Sequence, residues 1–218
     1  MRKLVQGIVD FRKNLTKEKR ELFAKLALGQ KPDTLFIACS DSRVVPNLFA
    51  STNPGDLFVL RNIGNVVPPL NLSMQEDSAA AAIEFAVFSL KVTDVVICGH
   101  SECGAIQAIA EGIDNCSCQH VKNWLRHGVE ALHRVEKGKV IDEALSRHNQ
   151  ISQENVLLQI EHMMSYPFIA KLVQENKLQV HGWWFDIAHA DVYCYEASLG
   201  KFIVIDEKEA ALILTRLG

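Results

Sequence analysis

No stretch of this sequence is both long and apolar enough to cross a membrane. The richest, Ala79 to Leu90, is interrupted by Glu84 and falls well short of the roughly 20 residues a span requires. The N-terminus carries Arg2 and Lys3 but lacks the continuous apolar core of a signal peptide. Runs of five or more basic residues are also missing, and 23 Lys and Arg against 26 Asp and Glu leave a formal net charge of −3. That balance argues against a nucleic-acid footprint. The expectation is a cytoplasmic protein with neither nucleic acid nor membrane among its partners. Internal repeats and low-complexity linkers are absent too, so residues 1–218 are read as a single domain.

Apolar residues make up 48% of the chain and charged residues 22%, enough to bury a sizeable core at this length. Six cysteines (39, 98, 103, 116, 118 and 194) without an export signal argue against a disulfide framework and leave metal binding or reactive thiols. Thr34 to Cys39, Asp56 to Leu60 and Asp94 to Gly99 are short, nearly unbroken apolar runs, the pattern of strands buried on both faces. Leu178 to Phe185 reads as a fourth, aromatic-rich strand. Helical spacing over Leu4 to Leu28 predicts two helices, the second started by Asn14 or Thr16 and stopped at Gly29. Further helices are expected from Ser78 to Lys91 and from Ser101 to Glu111, with Ser78 and Ser101 as caps. A helical block follows from about Gln119 to Asn176, its last member opened by Pro167. A hairpin (192–196 and 201–206) and a short helix (207–217) end the chain. Alternating strands and helices imply an α/β fold with a mainly parallel central sheet flanked by helices, its site at the carboxyl ends of the strands.

Two of these strands end in metal-ligand residues: Cys39-Ser40-Asp41-Ser42-Arg43 after the first, His100-Ser101-Glu102-Cys103-Gly104 after the third. If the strands are neighbours, Cys39, His100 and Cys103 converge. Two thiolates and an imidazole suit Zn2+ and leave one tetrahedral position open, the arrangement of catalytic rather than structural zinc. The positive end of the following helix should favour the thiolate of Cys103. Two thiolates cancel the metal's formal charge, so such a site acidifies bound water less than a three-histidine site. Asp41 stands close enough to occupy the fourth position, and Arg43 is placed to withdraw it by bidentate hydrogen bonding. Cys98 and Cys194 read as core or packing residues. Cys116-Ser117-Cys118-Gln119-His120 has tighter spacing than common zinc loops and reads as a solvated connection. The histidines at 127, 133, 148, 162, 181 and 189 show no paired ligand pattern.

Together these motifs resemble the β-class carbonic anhydrases. The likeness extends through Gly55 to Asn65, Ala81 to Val87 and His181-Gly182-Trp183, and covers most of the chain from about Gln30 to Asp186. It implies reversible hydration of carbon dioxide to bicarbonate and a proton by zinc hydroxide. In that reading Asp41 orients the hydroxide and Arg43 keeps Asp41 off the metal. It further implies that Gln30 reaches a neighbouring subunit's site to bind substrate and that Phe58 is an apolar wall residue. Phe85 takes a pocket position where plant-like members carry Tyr. The enzyme would then be a homodimer or homotetramer, with residues 1–29 as a helical arm on a neighbouring subunit. One subgroup binds an inhibitory bicarbonate through a Trp and a Tyr at positions held here by Phe36 and Phe185, so no such site is expected. Carbon disulfide or carbonyl sulfide hydrolysis on the same scaffold remains open. So do a nucleophilic Cys39 with His100 as base, and a non-catalytic zinc module with Asp41 as fourth ligand.

Overall fold

In the computed structural model, which describes residues 1–73 and 77–217, the chain opens with helices α1 (Arg2–Asn14) and α2 (Lys17–Leu26). Thr16 caps α2 by accepting from the Lys19 amide. The helix ends at Leu26, short of the expected stop at Gly29. There follow β1 (Thr34–Cys39), α3 (Pro46–Phe49), β2 (Leu57–Asn62), α4 (Leu70–Ser73), α5 (Asp77–Glu84) and β3 (Asp94–His100). The remainder is α6 (Gly104–Ala110), α7 (Gln119–Leu125), α8 (Val129–Glu136), α9 (Arg147–Met164), α10 (Pro167–Gln174), β4 (Gln179–Asp186), β5 (Asp191–Glu196), β6 (Lys201–Val204) and α11 (Glu207–Leu217). Pro167 opens α10 as expected.

Two helix starts differ from expectation. Ser78 lies inside α5 rather than capping it, and after Glu84 the helix widens into a π-helical turn, Phe85–Leu90. Ser101 does not cap α6, which begins three residues later at Gly104 with Cys103 in the cap position. The reason lies in the sheet: the Ser101 amide still pairs with the Phe185 carbonyl, and its hydroxyl bridges Asp186 and the Ile187 amide. The chain therefore leaves the sheet only at Glu102, in a left-handed conformation at φ 55.

The six strands form one sheet in the order β2-β1-β3-β4-β5-β6. The first four are parallel, and β5 and β6 add antiparallel. Strand alternation divides the core. Leu35 and Ile37 pack with Val95, Ile97, Ile83, Val156 and Met163 on one face, while Phe36 and Ala38 pack with Val96, Cys98 and Phe185 on the other. A third cluster joins Cys39 and Cys103 to Ile106, Ile109, Leu125 and Ile151 at the carboxyl end of the strands. Gly99 of β3 permits close packing of α9, because a Cβ there would stand 2.7 Å from the Val156 Cγ2. By contrast α1 and α2 bury no residue.

One buried group makes the core acid-sensitive. His127 is 4% exposed and its Nε2 has no partner. Burial, with the positive charge of Arg126 and His162 nearby, pushes its pKa down to about 4. An unfolded imidazole titrates near 6.5. Between these values the unfolded chain binds a proton that the folded chain refuses, so stability falls as the pH drops from about 6.5 towards 4, by about 3 kcal/mol for the full span. Chemical unfolding near neutral pH and near pH 4.5 should show a smaller loss in His127→Phe than in wild type. An identical pH slope in the variant refutes the assignment.

Candidate metal centre

Because β1 and β3 are paired in parallel, with Ala38 opposite Cys98, Cys39 and His100 arrive at the same edge of the sheet. Cys103 returns to that edge after the turn at Glu102. One ligand atom from each of Cys39, His100 and Cys103 lies within 4.8 Å of the others, and all three residues are buried. Among the described residues no other three His, Cys, Asp or Glu side chains come together in this way. His100 Nδ1 stands 2.8 Å from the Ser101 carbonyl, which can only accept, so Nδ1 carries the hydrogen and Nε2 a lone pair. That Nε2 is buried without a hydrogen-bond partner. An imidazole fixed by a backbone carbonyl, beside two buried thiols, is a donor set that fits Zn2+.

The two sulfurs lie 3.9 Å apart. The hydrogen bond with Cys103, aided by the Asp41 and Gly64 backbone, holds the Cys39 thiol far below its ordinary pKa. The same contact, together with burial, holds Cys103 above it and outweighs the amides of Ile106 and Ala105 at the start of α6. The Gly64 amide donates to the Cys39 sulfur at 3.4 Å.

Asp41 is engaged by Arg43 on three counts. The Arg43 amide and Nε donate to Oδ1 at 2.9 and 3.0 Å, and Nη2 donates to Oδ2 at 2.8 Å. These bonds hold the carboxyl well below the usual carboxylate range. A carboxylate has about four acceptor positions, so one remains, on Oδ2. The same Nη2 donates to the Glu102 carbonyl at 2.9 Å, tying the Asp41 loop to the turn between His100 and Cys103. Arg61 secures the loop from behind, with Nη2 donating to the carbonyls of Cys39 and Asp41 at 2.8 and 2.7 Å.

Sequence reasoning missed the contribution of α9. Asn149, Ser152, Asn155 and Gln159 line one face of that helix, and all are buried. Asn149 accepts from the Glu102 amide, Ser152 donates to the His100 carbonyl, Asn155 donates to the Gly64 carbonyl, and Gln159 accepts from the Val67 amide. The spacing of three, three and four residues was visible, but polar residues at helical spacing ordinarily mark a solvated face.

The expected pocket residues are not beside their own chain's cluster. Phe58 pairs with Leu35, four residues before Cys39, which places it about 13 Å back along the sheet. Phe85 packs on Phe58 with ring centroids 5.7 Å apart. Gln30 lies exposed ahead of β1, also at the far end. Cys98 and Cys194 are buried, while Cys116 and Cys118 sit in the connection before α7. Phe36 and Phe185 belong to an aromatic group with Phe49 and Trp183. His148 pairs with Glu102 at 3.0 Å, and His181 with Asp94 at 2.8 Å.

Comparison with known proteins agrees with this geometry. The family described as carbonic anhydrase matches residues 34–192. A carbonic anhydrase of Pseudomonas aeruginosa is 36% identical over 211 residues, 95% of this chain and 93% of that protein. Carbonic anhydrase 1 of Escherichia coli O157:H7 is 35% identical over 207 residues, 93% of this chain and 91% of its own. Among solved structures, the β-carbonic anhydrase CcaA superposes with a TM-score of 0.86 at 32% identity, covering 95% of this chain and 93% of that one. A tetrameric β-carbonic anhydrase of Sordaria macrospora gives a TM-score of 0.70 at 34% identity, covering 88% and 92%.

Proposed function

This chain belongs to the β-class carbonic anhydrases, and we propose accordingly that it hydrates carbon dioxide reversibly to bicarbonate and a proton at a zinc site made by Cys39, His100 and Cys103. The observation that carries the reading is the unpartnered, buried His100 Nε2 beside two thiols. Zn2+ held there would supply the Lewis acidity that turns bound water into a nucleophile. Asp41 acts on the attacking solvent oxygen: the free acceptor position on Oδ2 takes its hydrogen and turns its lone pair towards the carbon. Arg43 fixes that carboxylate and prevents it from closing on the metal. The test pairs zinc analysis with stopped-flow carbon dioxide hydration for wild type and Cys39→Ser. Rapid hydration by metal-free protein ends the reading.

The substrate pocket, in the same proposal, is completed by a second copy. Gln30, Phe58 and Phe85 lie too far back along the sheet to serve their own cluster, so they serve a neighbour's, Gln30 as hydrogen-bond partner and the two rings as apolar wall. The N-terminal arm supports such an assembly, because α1 exposes an apolar stripe that includes Leu4 at 64%, Ile8 at 67% and Phe11 at 56%. The protein is then a homodimer or homotetramer of the cytoplasm, a reducing compartment that suits its six free thiols. Ile8→Asp combined with Phe11→Asp should sediment as a smaller species and lose most of its activity. A monomeric variant with full turnover refutes the shared pocket.

A further inference from the structure

The Cys39 sulfur accepts a backbone hydrogen bond from Gly64, a residue in the left-handed region at φ 76. Glycine occupies that region at little cost and leaves it as easily, so the direction of the Gly64 N–H must be held from elsewhere. Two side chains from distant helices do so. Trp124 of α7 donates its Nε1 hydrogen to the Ile63 carbonyl at 2.8 Å. That carbonyl shares one rigid peptide plane with the Gly64 N–H and points the opposite way. Fixing one end of the plane fixes the other. Asn155 of α9 donates to the Gly64 carbonyl at 3.2 Å, and Gln159 locks the Asn155 amide by donating to its oxygen at 2.9 Å. Asn155 and Gln159 are 1% and 0% exposed, and the two peptide planes that flank Gly64 are therefore clamped from two sides.

We infer that Trp124 is a positioning residue for the metal ligand Cys39, acting through the Ile63–Gly64 peptide, with Asn155 as the second clamp. The inference rests on the zinc reading above. A hydrogen bond to a ligating sulfur stabilises its thiolate form against protonation and fixes the direction of its lone pairs, both of which favour metal binding. In a site with two buried thiols 3.9 Å apart, that support offsets the repulsion between the two anions that the metal needs. Trp124 touches neither substrate nor metal; its indole N–H sets the angle at which the Gly64 amide meets the sulfur.

Trp124→Phe removes the donor and keeps an aromatic ring, so folding should survive. The wild-type protein is loaded with 113Cd2+, and coupling between the metal and the Gly64 amide proton is measured by NMR. Zn2+ affinity is measured for both proteins by chelator competition. The wild type should show the coupling. Trp124→Phe should lose it and bind Zn2+ about tenfold more weakly, the lower end of the usual effect of an outer partner. Cadmium bound without coupling to Gly64 overturns the inference alone. So does a variant that keeps the coupling and an affinity within about twofold of wild type. A wild type that takes up neither metal ends the zinc reading and this inference with it.

Discussion

Cys39→Ser is expected to lose carbon dioxide hydration by about 10^3-fold or more, together with its zinc. The metal's Lewis acidity contributes several kcal/mol to the transition state, and each 1.4 kcal/mol is about tenfold. Serine is close to cysteine in size, and at a site only 4% exposed the fold should tolerate it. What disappears is the soft thiolate that Zn2+ selects. The neighbouring bonds sharpen the prediction, since the contact with Cys103 and the Gly64 amide favour an anion at position 39 and a neutral hydroxyl gains little from them. Stopped-flow kinetics, metal analysis and circular dichroism on the same preparation give the answer. A folded Cys39→Ser protein that hydrates carbon dioxide at the wild-type rate removes Cys39 from the site. A chelator should reproduce the loss in wild type and added Zn2+ should reverse it, which a cysteine nucleophile with a histidine base would not show.

Arg43→Ala and Asp41→Ala should both reduce hydration, by about 10^2-fold, yet move zinc affinity in opposite directions. Without Arg43 the carboxylate loses all of its side-chain hydrogen bonds and is free to become a fourth ligand, so metal binds more tightly while turnover falls. The turn at Glu102 also loses its tether to the Asp41 loop. Without Asp41 nothing orients the attacking oxygen, and affinity stays the same or weakens. Chelator competition beside stopped-flow assays separates the two. Equal losses of activity with unchanged or parallel affinities refute the division of labour. A variant Arg43→Ala with wild-type turnover removes the carboxylate clamp. Tight closure by Asp41 in the wild type would favour the non-catalytic zinc alternative, and its engagement by Arg43 weighs against it.

Much of the centre was legible in residue type and position. Cys39 and His100 each end an apolar run, and a parallel sheet brings the carboxyl ends of neighbouring strands together whatever the loops do. Asp41 and Arg43 lie two residues apart in one turn, so their pairing needed only local geometry. The cap at Ser101 failed because the ladder with β4 extends one residue past β3 and claims that serine, and tertiary pairing overrides a local capping preference.

Apolar runs, their spacing and the ligand types at their ends were sufficient for the α/β class, the parallel sheet and the cluster of Cys39, His100 and Cys103, since these depend on short-range pattern and on donor chemistry. The packed chain alone determined which helix carries the scaffold of the centre, and at which end of the sheet Gln30, Phe58 and Phe85 stand. Hydrogen bonds are directional and join residues as far apart as Gly64 and Asn155, so no local pattern encodes them. A polar stripe such as that of α9 looks the same in sequence whether it meets water or the backbone of a metal site.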